Sequence, residues 1–101
     1  MTHKVLTIYL DENASHGEVP LYEAIVRKLV LLEVNGATVH TGIMGFGRHH
    51  KVHRKRLFGV SDDRPVLVSV VDKAETIERI IPLLKPLAAG ALMVVTDCVV
   101  V

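Results

Sequence analysis

At 101 residues the chain has room for one domain with its own core and no more, so residues 1–101 are read as a single domain. Half of the residues are hydrophobic but only two Tyr and two Phe are aromatic, so the core must be aliphatic. A net charge of +1 decides nothing about polyanionic partners, and a single cysteine excludes an intrachain disulfide. The longest apolar stretch, Pro86 to Thr96, is stopped by Asp97 and falls short of the roughly 18–20 residues a spanning helix needs. The apolar run after Met1 ends at Asp11, too early for a signal-peptide core with its cleavage site. These features predict a soluble, cytoplasmic protein that is not itself inserted in a membrane.

Val5 to Leu10 is rich in β-branched and aromatic residues and predicts a buried strand closed by Asp11-Glu12-Asn13. Asp11 to Gly17 reads as a loop, and Pro20 stands near a helix start, where its missing N–H costs little. Leu21, Ile25, Leu29 and Leu32 then fall on one helical stripe, with Glu23 and Arg27 paired one turn apart on another face. Asn35-Gly36 predicts the stop, Gly36 serving as a left-handed cap. A second strand is expected over Ala37 to Met44, followed by a loop to about Pro65 and a third strand over Val66 to Val71. Asp72-Lys73-Ala74-Glu75 has capping-box spacing for a second helix with Ile77, Ile80, Ile81 and Leu84 as its core stripe. Pro82 should kink that helix or end it early. Gly90 is read as its terminator, and Ala91 to Val101 as the last strand, with Cys98 a buried thiol among valines.

The order is β-α-β, loop, β-α-β. Two such halves with helices that are apolar on one face predict an α+β, ferredoxin-like βαββαβ fold, a four-stranded antiparallel sheet with both helices on one side. Val66–Val71 and Ala91–Val101 are apolar at consecutive positions, which predicts burial on both sheet faces. Two helices cover only one face, so the second cover is expected from another subunit.

Between the second and third strands the charge is uneven. Arg48 to Arg56 holds five Lys/Arg and no acid in a chain of net charge +1, which leaves the rest of the chain net acidic. Gly42, Gly45 and Gly47 lie within six residues just before it. Glycines let backbone N–H groups turn together toward an anion, and Arg48 adds a forked cation suited to phosphate oxygens. Gly45-x-Gly47 lacks the third glycine of a dinucleotide fingerprint and the Gly-Lys-Ser/Thr ending of a P-loop. A solvated turn without a ligand is the competing reading of the same residues.

His49, His50 and His53 are near enough in sequence to offer a divalent-cation site, but no carboxylate or thiolate joins them locally and five cations oppose a metal. His40 and His16 read as ordinary strand and exposed loop residues. Nucleic acid is disfavoured because Phe46 and Phe58 flank the basic run without forming a stacking platform. No nucleophile stands beside a base and no carboxylate pair suggests acid–base work, so an enzyme is not expected. A third possibility is a docking loop that binds an acidic protein surface with no small ligand.

Gly45-Phe46-Gly47-Arg48, followed by Lys51 and His53, resembles the start of the long T-loop in the PII (GlnB-like) signal-transduction proteins. Pro65 to Asp72 resembles the strand that follows it. A closer similarity, to the PII-like family called domain of unknown function 190, runs through Pro20–Val26, Gly36–Val39, Gly42–Gly47 and Pro65-Val66. The resemblance implies a homotrimer of ferredoxin-like subunits. It also implies an anionic effector, such as an adenine nucleotide, held between subunits at the loop's base, and a protein target, for instance a membrane transporter. It carries ligand contacts onto Gly45, Phe46, Gly47, Arg48, Lys51 and His53, and leaves His49, His50, Arg54, Lys55 and Arg56 for docking. Where PII proteins have a Gly-x-Gly-Lys turn before the last strand this chain has Ala88-Ala89-Gly90-Ala91, and no tyrosine for uridylylation stands between Arg48 and Pro65.

Overall fold

The computed structural model describes residues 2–46, 53–54 and 64–101. In chain order these form β1 (His3–Asp11), β2 (Ser15–His16), β3 (Val19–Pro20), α1 (Leu21–Leu31) and β4 (Thr38–Thr41). There follow β5 (Met44–Gly45), β6 (His53–Arg54), β7 (Pro65–Lys73), α2 (Ala74–Leu84) and β8 (Leu92–Cys98). Four strands make one antiparallel sheet in the order β4-β7-β1-β8, the ferredoxin-like arrangement expected from the sequence. The expected Ala37–Met44 strand is two pieces, β4 and β5, with Gly42 and Ile43 between them. The loop read over Asp11–Gly17 instead contains half of a small hairpin, β2 with β3, with Gly17 at φ 62 in its turn.

Side chains alternate across the sheet. Leu6, Ile8 and Leu10 of β1 stand opposite Val70, Val68 and Val66 of β7, and all six are buried under the helices. Ile25 and Leu29 of α1 and Ile77, Ile80 and Leu84 of α2 complete that core, as the helical stripes predict. The opposite face carries Val5, Thr7, Tyr9, Leu67, Ser69, Val71, Leu92 and Val94, and within one chain nothing among the described residues encloses it. Tyr9 and Val71 remain 42% and 43% exposed there, so the predicted burial of both faces is not met by the subunit alone. Cys98, opposite His3 on the same face, is half-buried rather than buried.

The helix ends also depart from expectation. In α1, Glu33 N–H donates to Val30 O at 3.1 Å and Val34 N–H to Leu29 O at 3.5 Å, with Glu33 itself left-handed at φ 61. That is a Schellman ending built on glutamate, three residues before the glycine expected to provide it. Arg79 Nη2 of α2 donates to the exposed helix-end carbonyl of Leu32 at 3.0 Å and ties the two helices together. Asp72 does not form the capping box. Lys73 is the N-cap, without a side-chain cap bond, and Asp72 is only 4% exposed. Its carboxylate accepts from Asn35 N–H at 2.9 Å, Asn35 Nδ2 at 3.3 Å and Lys73 N–H at 2.7 Å. The residue thus fastens the turn after α1 to the end of β7 instead of capping α2. In α2, Pro82 removes one backbone donor and the helix ends two residues later, with turns rather than helix leading to Gly90.

Three substitutions test these ends by urea denaturation at neutral pH. Asp72→Ala removes three part-buried hydrogen bonds to Asn35 and Lys73 and should cost about 1–2 kcal/mol. Glu33→Gly should stabilise by about 0.5–1 kcal/mol, because glycine removes the left-handed penalty while losing more chain entropy. Gly36→Ala should show no such strain, since its φ is not positive and a Cβ there meets nothing within 4 Å.

Candidate functional site

The site is built where β1 ends and β7 begins. Asp11 stands opposite Pro65 in the ladder, and Glu12 extends the pairing by donating its N–H to Arg64 O at 2.8 Å. The two side chains then close on each other: Arg64 Nε donates to Glu12 Oε2 at 2.7 Å and Nη2 to Oε1 at 3.1 Å. This forked pairing is the strongest geometry an arginine and a carboxylate adopt. Each side chain is only about a quarter exposed, at 28% for Glu12 and 27% for Arg64. The hydrogen bond from Arg64 holds the Glu12 carboxyl below its ordinary range; desolvation opposes this and the guanidinium charge adds to it.

Pro65 is the next fixed point. Gly42 N–H donates to Pro65 O at 2.7 Å, and a Cβ on Gly42 would stand 2.6 Å from Pro65 Cγ. A Cβ on Gly45 would meet the same carbon at 3.2 Å. These two glycines therefore let the first root of the basic loop lie flat on the ring at its second root, a steric reason separate from any ligand. Beyond them β5 pairs with β6, Met44 opposite Arg54 and Gly45 opposite His53.

Beside this junction lies an open cleft of about 800 Å³. One wall is the loop root, Met44, Gly45 and Phe46 with Pro65; the facing wall is the turn Ala89-Gly90-Ala91 with Leu92 and Met93. Tyr9 and Leu67 of the sheet form the floor, and Asp11 is the charged residue among the described lining. Gly90 makes the second wall possible: Ala91 N–H closes the turn on Ala88 O at 3.0 Å with Gly90 at φ 84, a conformation side chains disfavour. Phe46, 66% exposed, offers an aromatic edge at the mouth. Such a surface suits a flat apolar group better than an anion, whose charge would have to be met by other residues.

Of the residues expected to bind a ligand, Gly45 and Phe46 line this cleft. His53 lies in β6 opposite Gly45, and Arg54, expected to dock a partner, lies there opposite Met44. Gly47, Arg48 and Lys51, and the docking and metal candidates His49, His50, Lys55 and Arg56, lie outside the described residues, as do the side chains of His53 and Arg54. Among the described residues no group of three His, Cys, Asp or Glu converges on a point, and no helix is long and apolar enough to cross a membrane. Tyr9, Asp11 and Leu92 were not legible as site residues. Only their positions at one end of neighbouring strands bring them together.

Lowering the pH should expose the ion pair's contribution. A carboxyl whose pKa is depressed on folding stabilises above its unfolded value of about 4.3 and loses that stabilisation as pH falls through the lower folded value. Wild type should therefore melt above Glu12→Gln at pH 7, with the gap closing progressively below about pH 4.3. Gly42→Ala should cost roughly 1–3 kcal/mol at all these pH values, because its clash with Pro65 is steric.

The DUF190 family model, described as "Uncharacterized ACR", matches residues 3–100. The UPF0166 protein MJ1524 of Methanocaldococcus jannaschii is 35% identical over 96 residues, covering 94% of this chain and 88% of that one. A UPF0166 protein of Aquifex aeolicus is 29% identical over 82 residues, covering 81% and 78%. Among solved structures, CPII, a nitrogen regulatory PII-like protein from Thiomonas intermedia K12 bound to ADP, AMP and bicarbonate, superposes with a TM-score of 0.70. The match covers 97% of this chain and 87% of that one at 20% identity, so the likeness is one of fold. CPII bound to ADP and bicarbonate gives 0.68 at 21% identity and the same coverage. The chain has the PII-like fold and belongs to the DUF190 family.

Proposed function

We propose that this protein is a regulatory, non-enzymatic subunit that binds an adenine nucleotide in the cleft and reports its presence through the basic loop to a protein partner. The observation that carries the reading is the cleft between the loop root Gly45–Phe46 and the turn Ala89–Ala91, an apolar slot whose wall is followed in sequence by a five-cation segment. An adenine ring would enter the slot against Leu67, Leu92 and Phe46, and its phosphates would reach Arg48 and Lys51, with Gly47 and His53 as further contacts. Support comes from the ADP and AMP bound to CPII, a protein of the same fold. The partner, for example a membrane transporter, would be contacted in the cytoplasm by His49, His50, Arg54, Lys55 and Arg56, whose positive charge suits an acidic surface.

The working unit in this reading is a homotrimer, with the open sheet face as its interface. Val5, Val71 and Val94 lie on that face outside the cleft, and burying them against other copies of the chain recovers hydrophobic free energy that one subunit forgoes. Thr7 lies at the middle of it, opposite Ser69 and Val94.

Thermal shift with ADP, AMP, ATP and a divalent-metal series tests the ligand. An adenine nucleotide at about 100 times its Kd should stabilise by about 2.7 kcal/mol through mass action, and Arg48→Ala should remove most of the shift. A response to metals alone would transfer the assignment to His49, His50 and His53, and a flat response to both would leave a docking loop without a small ligand. Light scattering tests the assembly: wild type should run at three times the chain mass, and Thr7→Arg should run as a monomer.

A further inference from the structure

Arg64 and Pro65 form the second root of the basic loop, and from the first root Gly42 and Gly45 pack against Pro65, Gly45 lying at the centre of the Met44–Phe46 wall. The β1–β7 ladder ends at Asp11–Pro65, and beyond it, among the described residues, the second root is held by the bond from Glu12 N–H to Arg64 O and by the forked Glu12–Arg64 contact. From Pro65 the constraint passes to Gly42 through its 2.7 Å hydrogen bond, and to Gly45 through close packing. Both roots therefore meet at one proline whose neighbour is gripped by one carboxylate.

We propose that Glu12 is a positioning residue for the ligand site, gripping Arg64 so that Pro65 holds the Met44–Phe46 wall of the cleft in a binding-ready position. The proposal rests on the nucleotide reading for what the wall binds, but the grip itself does not. Glu12 is not among the residues that line the cleft, so it acts through Arg64 and Pro65 and not by touching a ligand. Because Arg64 is already engaged in two hydrogen bonds to a carboxylate, it serves here as a strut and leaves the phosphates to the cations of residues 48–56.

The test pairs amide hydrogen exchange with ADP affinity on four full-length proteins: wild type, Glu12→Gln, the swap Glu12→Arg/Arg64→Glu, and Asn35→Ala. Asn35 serves as the control because it stabilises the opposite end of β7 through Asp72. Glu12→Gln should speed exchange at Gly42 about tenfold while Val68, at the centre of the ladder, is unchanged. It should also weaken ADP binding about fivefold, a modest coupling for groups linked through one packed residue. The swap should restore both to within about twofold, and Asn35→Ala should lower the melting temperature without moving either. Unchanged Gly42 exchange in Glu12→Gln overturns the proposal, as does a swap variant that is folded by circular dichroism yet restores neither property. Faster exchange with unaltered ADP affinity also overturns it, since the wall would then be loose without consequence. If wild type binds no ADP, the nucleotide reading fails, while Gly42 exchange still reports whether Glu12 sets the wall.

Discussion

The antiparallel ladder between β1 and β7 is the constraint from which both core and cleft follow. These are the two longest strands, nine residues each, and they lie at the centre of the sheet. Their register sets Leu6, Ile8 and Leu10 against Val70, Val68 and Val66 under the helices. A slip of one residue would turn that whole set onto the open face, so the apolar alternation enforces the register. The same register decides what happens at the ends. At one end Asp72 lies beside the turn after α1 and is satisfied by Asn35; at the other, Asp11 and Glu12 meet Pro65 and Arg64.

The two ends differ in chemistry, and the difference suits their tasks. Asp72 is nearly inaccessible and accepts hydrogen bonds on both oxygens from neighbours that are themselves held, which makes a rigid corner. The Glu12–Arg64 end is more exposed to water and borders a cleft. There the chain departs from regular structure, crossing Pro65 twice with glycines that have no side chain to obstruct it. A fold that is fixed at one end and opens into a slot at the other has a natural place for a ligand. In the proposed assembly the bare sheet face next to that slot is the interface, which would put the cleft close to a neighbouring subunit.

Much of the fold was legible because it is written in local periodicity. The helical stripes of Ile25 and Leu29, and of Ile77, Ile80 and Leu84, name the core residues before any coordinates do. What was not legible depends on residues distant in sequence. Glu12 and Arg64 are 52 positions apart, and Asn35 and Asp72 are 37 apart, so neither partnership leaves a local pattern. The spacing of Asp72 and Glu75 predicts a cap, but the turn at Asn35 is the stronger competitor for the Asp72 oxygens. Glu33 took the left-handed position because the helix ended where its apolar stripe ran out, before Gly36 was reached. For the site, glycine spacing led to Gly45, and the family resemblance to Phe46. Tyr9 and Leu92, by contrast, are ordinary strand residues until the sheet order sets them side by side.

The most direct test of this account is an ADP titration followed by amide chemical shifts in the full chain. The account predicts saturable shifts concentrated at Gly45, Phe46, Gly90, Ala91 and Leu92, the two walls of the cleft, with Asn35 and Lys73 at the far end unmoved. Saturable shifts centred on β4 or the outer face of α1, or no saturable shift with any adenine nucleotide, would contradict it.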